Sequence, residues 1–254
     1  MPRLGLGTTM LNGEKGKEAI LEAFRLGYRL VDTAQSYGNE AGSGDTAQRL
    51  FTCSLQIHGR TSEAELGSAW RSSGLPRHQL FLVTKLSEDE GCRRKRAKAL
   101  VRQQLKLMQT NYIDQCPSSD LEELYDEGVV RSLGVSNFNL EELKRFNSHV
   151  RVKPHVVQNK FSIYHRGWAP VQTQDVAQKL LSWGVVLMGY CNLDAYPHVL
   201  QPLEDVHVKK IAQKHHRTVA QVLLRHALQH GTVTRLPTTR CSVGPDRRTS
   251  GRTW

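Results

Sequence analysis

The chain has 254 residues, 39% of them apolar, a length and a core fraction that suit one α/β barrel. No apolar run approaches the roughly 18 residues of a membrane span and no signal-peptide core opens the sequence, so a cytoplasmic protein without a membrane role is expected. Five scattered cysteines without CxxC spacing argue against a disulfide framework and against a metal site. The formal charge of +11 raises nucleic acid as a partner, but no recognisable motif or aromatic-basic interleaving supports one, and a solvated basic face is expected.

Residues 4–10 form a short Gly-interrupted strand; its GxG lacks the third glycine of a dinucleotide fingerprint. Residues 15–26 have helical period, with Gly27 placed as a C-cap, and a strand follows over 28–33. Asp32 stands near the end of that strand, and Tyr37 comes a few residues later, before the turn signal Gly38-Asn39. Residues 41–61 interrupt the pattern and read as an insertion. Helical period resumes at Ser62, an expected N-cap whose capping box is completed by Glu65.

Residues 80–86 make an apolar strand that carries Lys85, suited to burial on both faces. A basic helix spans about 93–109, and its Arg93-Arg94-Lys95-Arg96 run reads as a solvated helix start. A fourth strand begins at Tyr112-Ile113-Asp114 and is cut short by Gln115-Cys116-Pro117; a helical fragment follows over 121–128. The alternation then recovers. Strand 129–138 carries Ser136 and Asn137, strand 155–160 carries Gln158, and strand 185–190 ends on Tyr190. Helices occupy 139–148, 172–183 and, in two parts, 203–230, before a last strand from Val233 to Leu236. Residues 241–254 have no apolar period and read as a disordered basic tail.

Repeated strand and helix periods predict a parallel α/β barrel, whose strand C-terminal ends converge on one face. The order Asp32, Tyr37, Lys85, Ser136-Asn137, Gln158, Tyr190 resembles the aldo-keto reductases, over roughly residues 2–40, 62–114 and 121–240. The resemblance implies a (β/α)8 TIM-type barrel with a truncated fourth strand, spanning 1–240. It implies NADPH-dependent reduction of aldehydes or ketones to alcohols, with a small-molecule carbonyl substrate and a monomeric chain. Asp32, Tyr37 and Lys85 would be the catalytic group. Ser136, Asn137 and Gln158 would hold the nicotinamide carboxamide, Tyr190 would stack on the ring, and Arg240 would meet the 2′-phosphate. A non-catalytic NADPH-binding or partner-binding barrel is the alternative.

The chemistry asked of Tyr37 needs help, because a free phenol has a pKa near 10. An ammonium about 4 Å away contributes on the order of 4 kcal/mol at an effective dielectric of 20, and Lys85 would supply it while Asp32 holds the lysine. The family's fourth strand carries a histidine that polarises the substrate carbonyl, and this chain has no counterpart; loss of one such donor costs about 10²–10³ in rate. A short fourth strand is also expected to leave its two neighbours partly unpaired, at roughly 1–3 kcal/mol for each buried group.

Overall fold

Period-two alternation settles which way each strand residue faces, and it builds both the barrel wall and the mouth. The computed structural model describes residues 1–9, 11, 13–34, 62–86, 94–117, 121–166, 176–193 and 201–236. The expected insertion at 41–61 and tail at 241–254 lie outside the described residues, as do Tyr37 and Arg240.

The strands are β1 Leu4–Gly7, β2 Leu30–Asp32, β3 Phe81–Val83, β4 Cys116–Pro117, β5 Leu133–Ser136, β6 Val156–Ser162, β7 His165–Arg166, β8 Val186–Tyr190 and β9 Val233–Leu236. Eight of them are parallel, in the order β3-β2-β1-β9-β8-β6-β5-β4, and β7 pairs antiparallel to β6. A bridge between Val83 and Gln115 brings the two edges together, so the sheet has the layout of a (β/α)8 TIM-type barrel with a short fourth strand. Leu30, Val83, Val156, Met188 and Val233 form one cluster, packed with Phe81, inside this sheet. The alternate residues Val31, Leu82, Leu133, Val135, Val157 and Leu187 belong to the two clusters that face the helices.

The helices fill the outer layer. They are α1 Gly13–Arg25, α2 Ser62–Ser73, α3 Arg94–Leu107, α4 Glu122–Asp126, α5 Leu140–His149, α6 Val176–Ser182, α7 Val206–Lys214 and α8 Val219–Gln229. α1 ends where Gly27 takes φ +91°, a left-handed turn that suits glycine. Asn139 and Glu142 cap α5 reciprocally, and Thr218 and Gln221 do the same for α8. Ser62, the residue expected to open the next helix, is its first helical residue, and its hydroxyl meets that of Thr33 at 2.8 Å.

The fourth strand corrects an expectation. Although β4 has two residues, the segment 113–117 serves both neighbours. Thr84 donates to the Gln115 carbonyl, Asp114 and Gln115 both donate to the Leu82 carbonyl, and Cys116 donates to that of Ser132. Asp114 adds a side-chain contact: its Oδ2 accepts from Leu82 N at 2.9 Å and from Arg77 at 2.6 Å. The ladders are irregular but occupied. The cost falls on Gln115, whose buried amide has neither a donor nor an acceptor partner among the described residues.

Candidate active site

The inner faces of β2, β3, β6, β8 and β9 are apolar low in the barrel and polar at the C-terminal mouth. Two residues beyond Leu30 stands Asp32; two beyond Val83, Lys85; two beyond Val156, Gln158; two beyond Met188, Tyr190; two beyond Val233, Arg235. The alternation that packs the interior therefore also delivers the mouth.

Asp32 is fully buried, and Lys85 Nζ donates to its Oδ1 at 2.5 Å. The same ammonium donates to the Thr33 carbonyl at 2.8 Å, which fixes it against the strand end. Gln158 Nε2 contacts Asp32 Oδ1 at 3.3 Å and Met188 Sδ at 2.9 Å. A buried carboxylate is tolerated only with such partners, since an isolated one costs several kcal/mol to desolvate.

A second group forms at the ends of β5 and β8. Asn137 has φ +62°, a left-handed conformation that asparagine adopts more readily than most residues. Its N–H donates to the Gln158 carbonyl at 3.0 Å, and its Oδ1 accepts from the Tyr190 hydroxyl at 2.8 Å. Ser136 Oγ donates to the Gln158 carbonyl at 3.1 Å. Asn159 clamps the same turn, accepting from Phe138 N and donating to the Phe138 carbonyl. Five of the expected site residues other than Lys85 thus share one region: Asp32, Gln158, Ser136, Asn137 and Tyr190. His155 stands at the other end of its strand, where its Nδ1 accepts from Leu133 N at 3.2 Å.

Arg235 escaped the sequence reading. Its Nε lies 3.1 Å from Asp32 Oδ2, an ion pair without the alignment of a hydrogen bond, and its guanidinium carbon is 5.6 Å from the Tyr190 ring centre. The signal was present: an arginine at an inward position of a strand whose other inward residue is Val233. Close by, the free thiol of Cys116 is fully buried. Burial pushes its thiol up to about 12, against the opposing pull of the Lys85 charge and a hydrogen bond from the Leu86 backbone.

A parallel eight-stranded barrel with its polar cluster at the strand C-terminal ends defines a class in which active sites sit at that face. Comparison with known proteins narrows the class. The model of the aldo/keto reductase family matches residues 3–195, and the chain belongs to that family of oxidoreductases. A glyoxal reductase of Bacillus subtilis is 31% identical over 252 residues, covering 92% of this chain and 77% of its own length. The methylglyoxal reductase DkgA of Salmonella typhimurium is 28% identical, covering 92% and 78%. Among solved structures, an aldo-keto reductase from a Medee basin deep-sea metagenome library aligns with a TM-score of 0.77 at 25% identity, covering 94% of this chain and 81% of its own. No described helix is long and apolar enough to cross a membrane.

Proposed function

We propose that this chain is an NADPH-dependent oxidoreductase that reduces aldehydes or ketones to alcohols. The observation that carries the reading is the buried Asp32–Lys85 pair at 2.5 Å in the barrel mouth, with the Gln158 amide against the same carboxylate. The carboxamides of Asn137 and Gln158 and the ring of Tyr190 form a donor set that suits a nicotinamide, which carries its own carboxamide and a flat ring to stack. NADPH, when bound, would supply the hydride. Ser136, Asn137 and Gln158 would orient the carboxamide, Tyr190 would bear on the ring, and Arg240 would meet the 2′-phosphate.

In this reading the carbonyl carbon accepts a hydride while its oxygen takes the phenolic proton of Tyr37. The Lys85 ammonium offsets the negative charge left on the phenol oxygen, and Asp32 holds that ammonium in place. Small 2-oxoaldehydes are the first substrates to test, given the relatives named above. NADPH oxidation on addition of methylglyoxal, abolished in Tyr37→Phe with NADPH binding retained, is the expected result. Equal turnover by parent and variant would end this assignment.

One observation favours a second reading, a barrel that binds NADPH or a partner without turnover. β4 is two residues long, and no histidine lies within 112–120 to polarise a carbonyl. NADPH fluorescence that changes on binding, with no oxidation across a panel of aldehydes and ketones, would select it.

A further inference from the structure

The contacts of Asp32 are lopsided. Oδ1 takes the Lys85 ammonium at 2.5 Å and the Gln158 amide at 3.3 Å, while Oδ2 takes no hydrogen bond from the described residues and faces Arg235 Nε at 3.1 Å. The charged groups facing this carboxylate are therefore Lys85, from the end of β3, and Arg235, from β9. The carboxylate is fully buried, and the arginine side chain is only 13% exposed. The interior position it occupies follows Val233 on the face where the barrel is otherwise packed with aliphatic side chains. Packing alone gives no reason for a guanidinium there, and desolvating one is costly.

We infer that Arg235 is a positioning residue for the proton-transfer step, holding Asp32 from the side opposite Lys85. This rests on the reading of Asp32, Lys85 and Tyr37 given above. A carboxylate with one cation draws it toward both oxygens and neutralises it most fully. With a second cation on Oδ2, Lys85 keeps a one-oxygen contact and shares the carboxylate's charge. More of the ammonium's field is then left for the phenol that must release its proton. The guanidinium also sits over Tyr190, so one side chain ties the Asp32–Lys85 pair to the Asn137–Tyr190 pair across the mouth.

Three variants of the full chain separate charge from packing: Arg235→Met, Arg235→Gln and Arg235→Lys. With NADPH and methylglyoxal, the Met and Gln variants are expected to lose about tenfold or more in kcat at pH 7, and the basic limb of the kcat–pH profile moves to higher pH. The KM for NADPH changes less than about threefold, because truncating Arg235 leaves Asn137 and Gln158 in place. Arg235→Lys recovers most of kcat and returns the limb toward that of the parent. An unmoved limb in all three variants, or a fall in kcat that merely follows a fall in Tm, overturns the inference.

A second readout does not depend on turnover. Acylation of Lys85 by acetic anhydride, followed by peptide mass spectrometry, is expected to slow by about threefold or more in folded Arg235→Met, as Asp32 closes on the ammonium. If the parent binds NADPH but reduces nothing, the reductase reading fails, and unchanged Lys85 labelling would then sink the Arg235 inference on its own.

Discussion

The mouth side of the barrel formed by β2, β3, β6, β8 and β9 and the wall formed by β4 and β5 both place polar side chains where a barrel interior is usually apolar. They do so with opposite outcomes. Around Asp32, three strands contribute a lysine, an amide and an arginine, so a buried charge is met from two sides. Immediately before β4, Gln115 is just as buried, and its amide finds no partner among the described residues. It has room only because residue 134 is glycine: a Cβ there would stand 2.6 Å from Gln115 Nε2 and 2.7 Å from the Val156 carbonyl oxygen. The difference teaches that a polar residue inside this barrel is held by what neighbouring strands present at the same height. A strand of two residues does not bring that company with it.

The largest effect should come from breaking the satisfied side. Lys85→Met removes the cation on Oδ1 and leaves Arg235 as the only charged partner of Asp32 among the described residues. Carbonyl reduction is expected to fall by about 10²–10⁴, the range for a group tuning general acid catalysis. Stability is expected to fall by about 1–3 kcal/mol, less than the cost of wholly unpairing a buried charge because Arg235 remains. Activity close to that of the parent would mean that Asp32 and Lys85 are a structural pair.

The opposite side sharpens the comparison with a gain. Gln115→Leu replaces an unpartnered buried amide by an apolar side chain of similar reach, and should raise stability by roughly 1–3 kcal/mol in urea unfolding. An unchanged or lowered midpoint would show that the amide has an unseen role in closing β3 onto β4. Gly134→Ala should act in the reverse sense, by about 1–3 kcal/mol, because one of the two groups it meets is a backbone carbonyl that cannot swing away.

Those two sides also divide what could be read in advance. The strand Val233–Leu236 was legible to the residue, and Gly27 takes the positive φ expected of a helix stop. Asp32, Lys85, Gln158 and Tyr190 were singled out by their place near strand ends and by the order that resembles the family, and the structure sets each two residues beyond an apolar inner residue. Arg235 obeys the same rule, but its partner lies about two hundred residues earlier, and no local pattern reports an ion pair across β9, β1 and β2. The closure through 113–117 was hidden for a related reason. Its hydrogen bonds arise from an irregular path in which two successive N–H groups share the Leu82 carbonyl, and periodicity describes only regular ladders.

The smallest expected effect lies just outside the mouth and tests whether satisfaction of polar groups matters there too. The Tyr164 hydroxyl donates to Asp205 Oδ2 at 2.6 Å, while Asp205 Oδ1 caps α7 through His207 N and Val208 N. The hydrogen bond from the phenol, with help from those backbone donors, holds the Asp205 carboxyl below its usual value. The bond to Asp205, then burial, push the Tyr164 phenol up to about 12. The two signs differ. Asp205 is depressed on folding, so its contribution is present above its unfolded pKa, about 4, and is lost as pH falls through that range and below. Tyr164 is raised, so its contribution is complete below its unfolded pKa, about 10, and is lost as pH rises through 10 toward 12. Tm measured across pH should therefore carry a small loss at each end that Tyr164→Phe reduces, leaving the middle of the profile lower by only a degree or two, as befits a part-buried contact that solvent still screens. Both limbs unchanged in Tyr164→Phe would mean that the phenol–carboxylate bond carries no stability, and that α7 is held by its backbone cap alone.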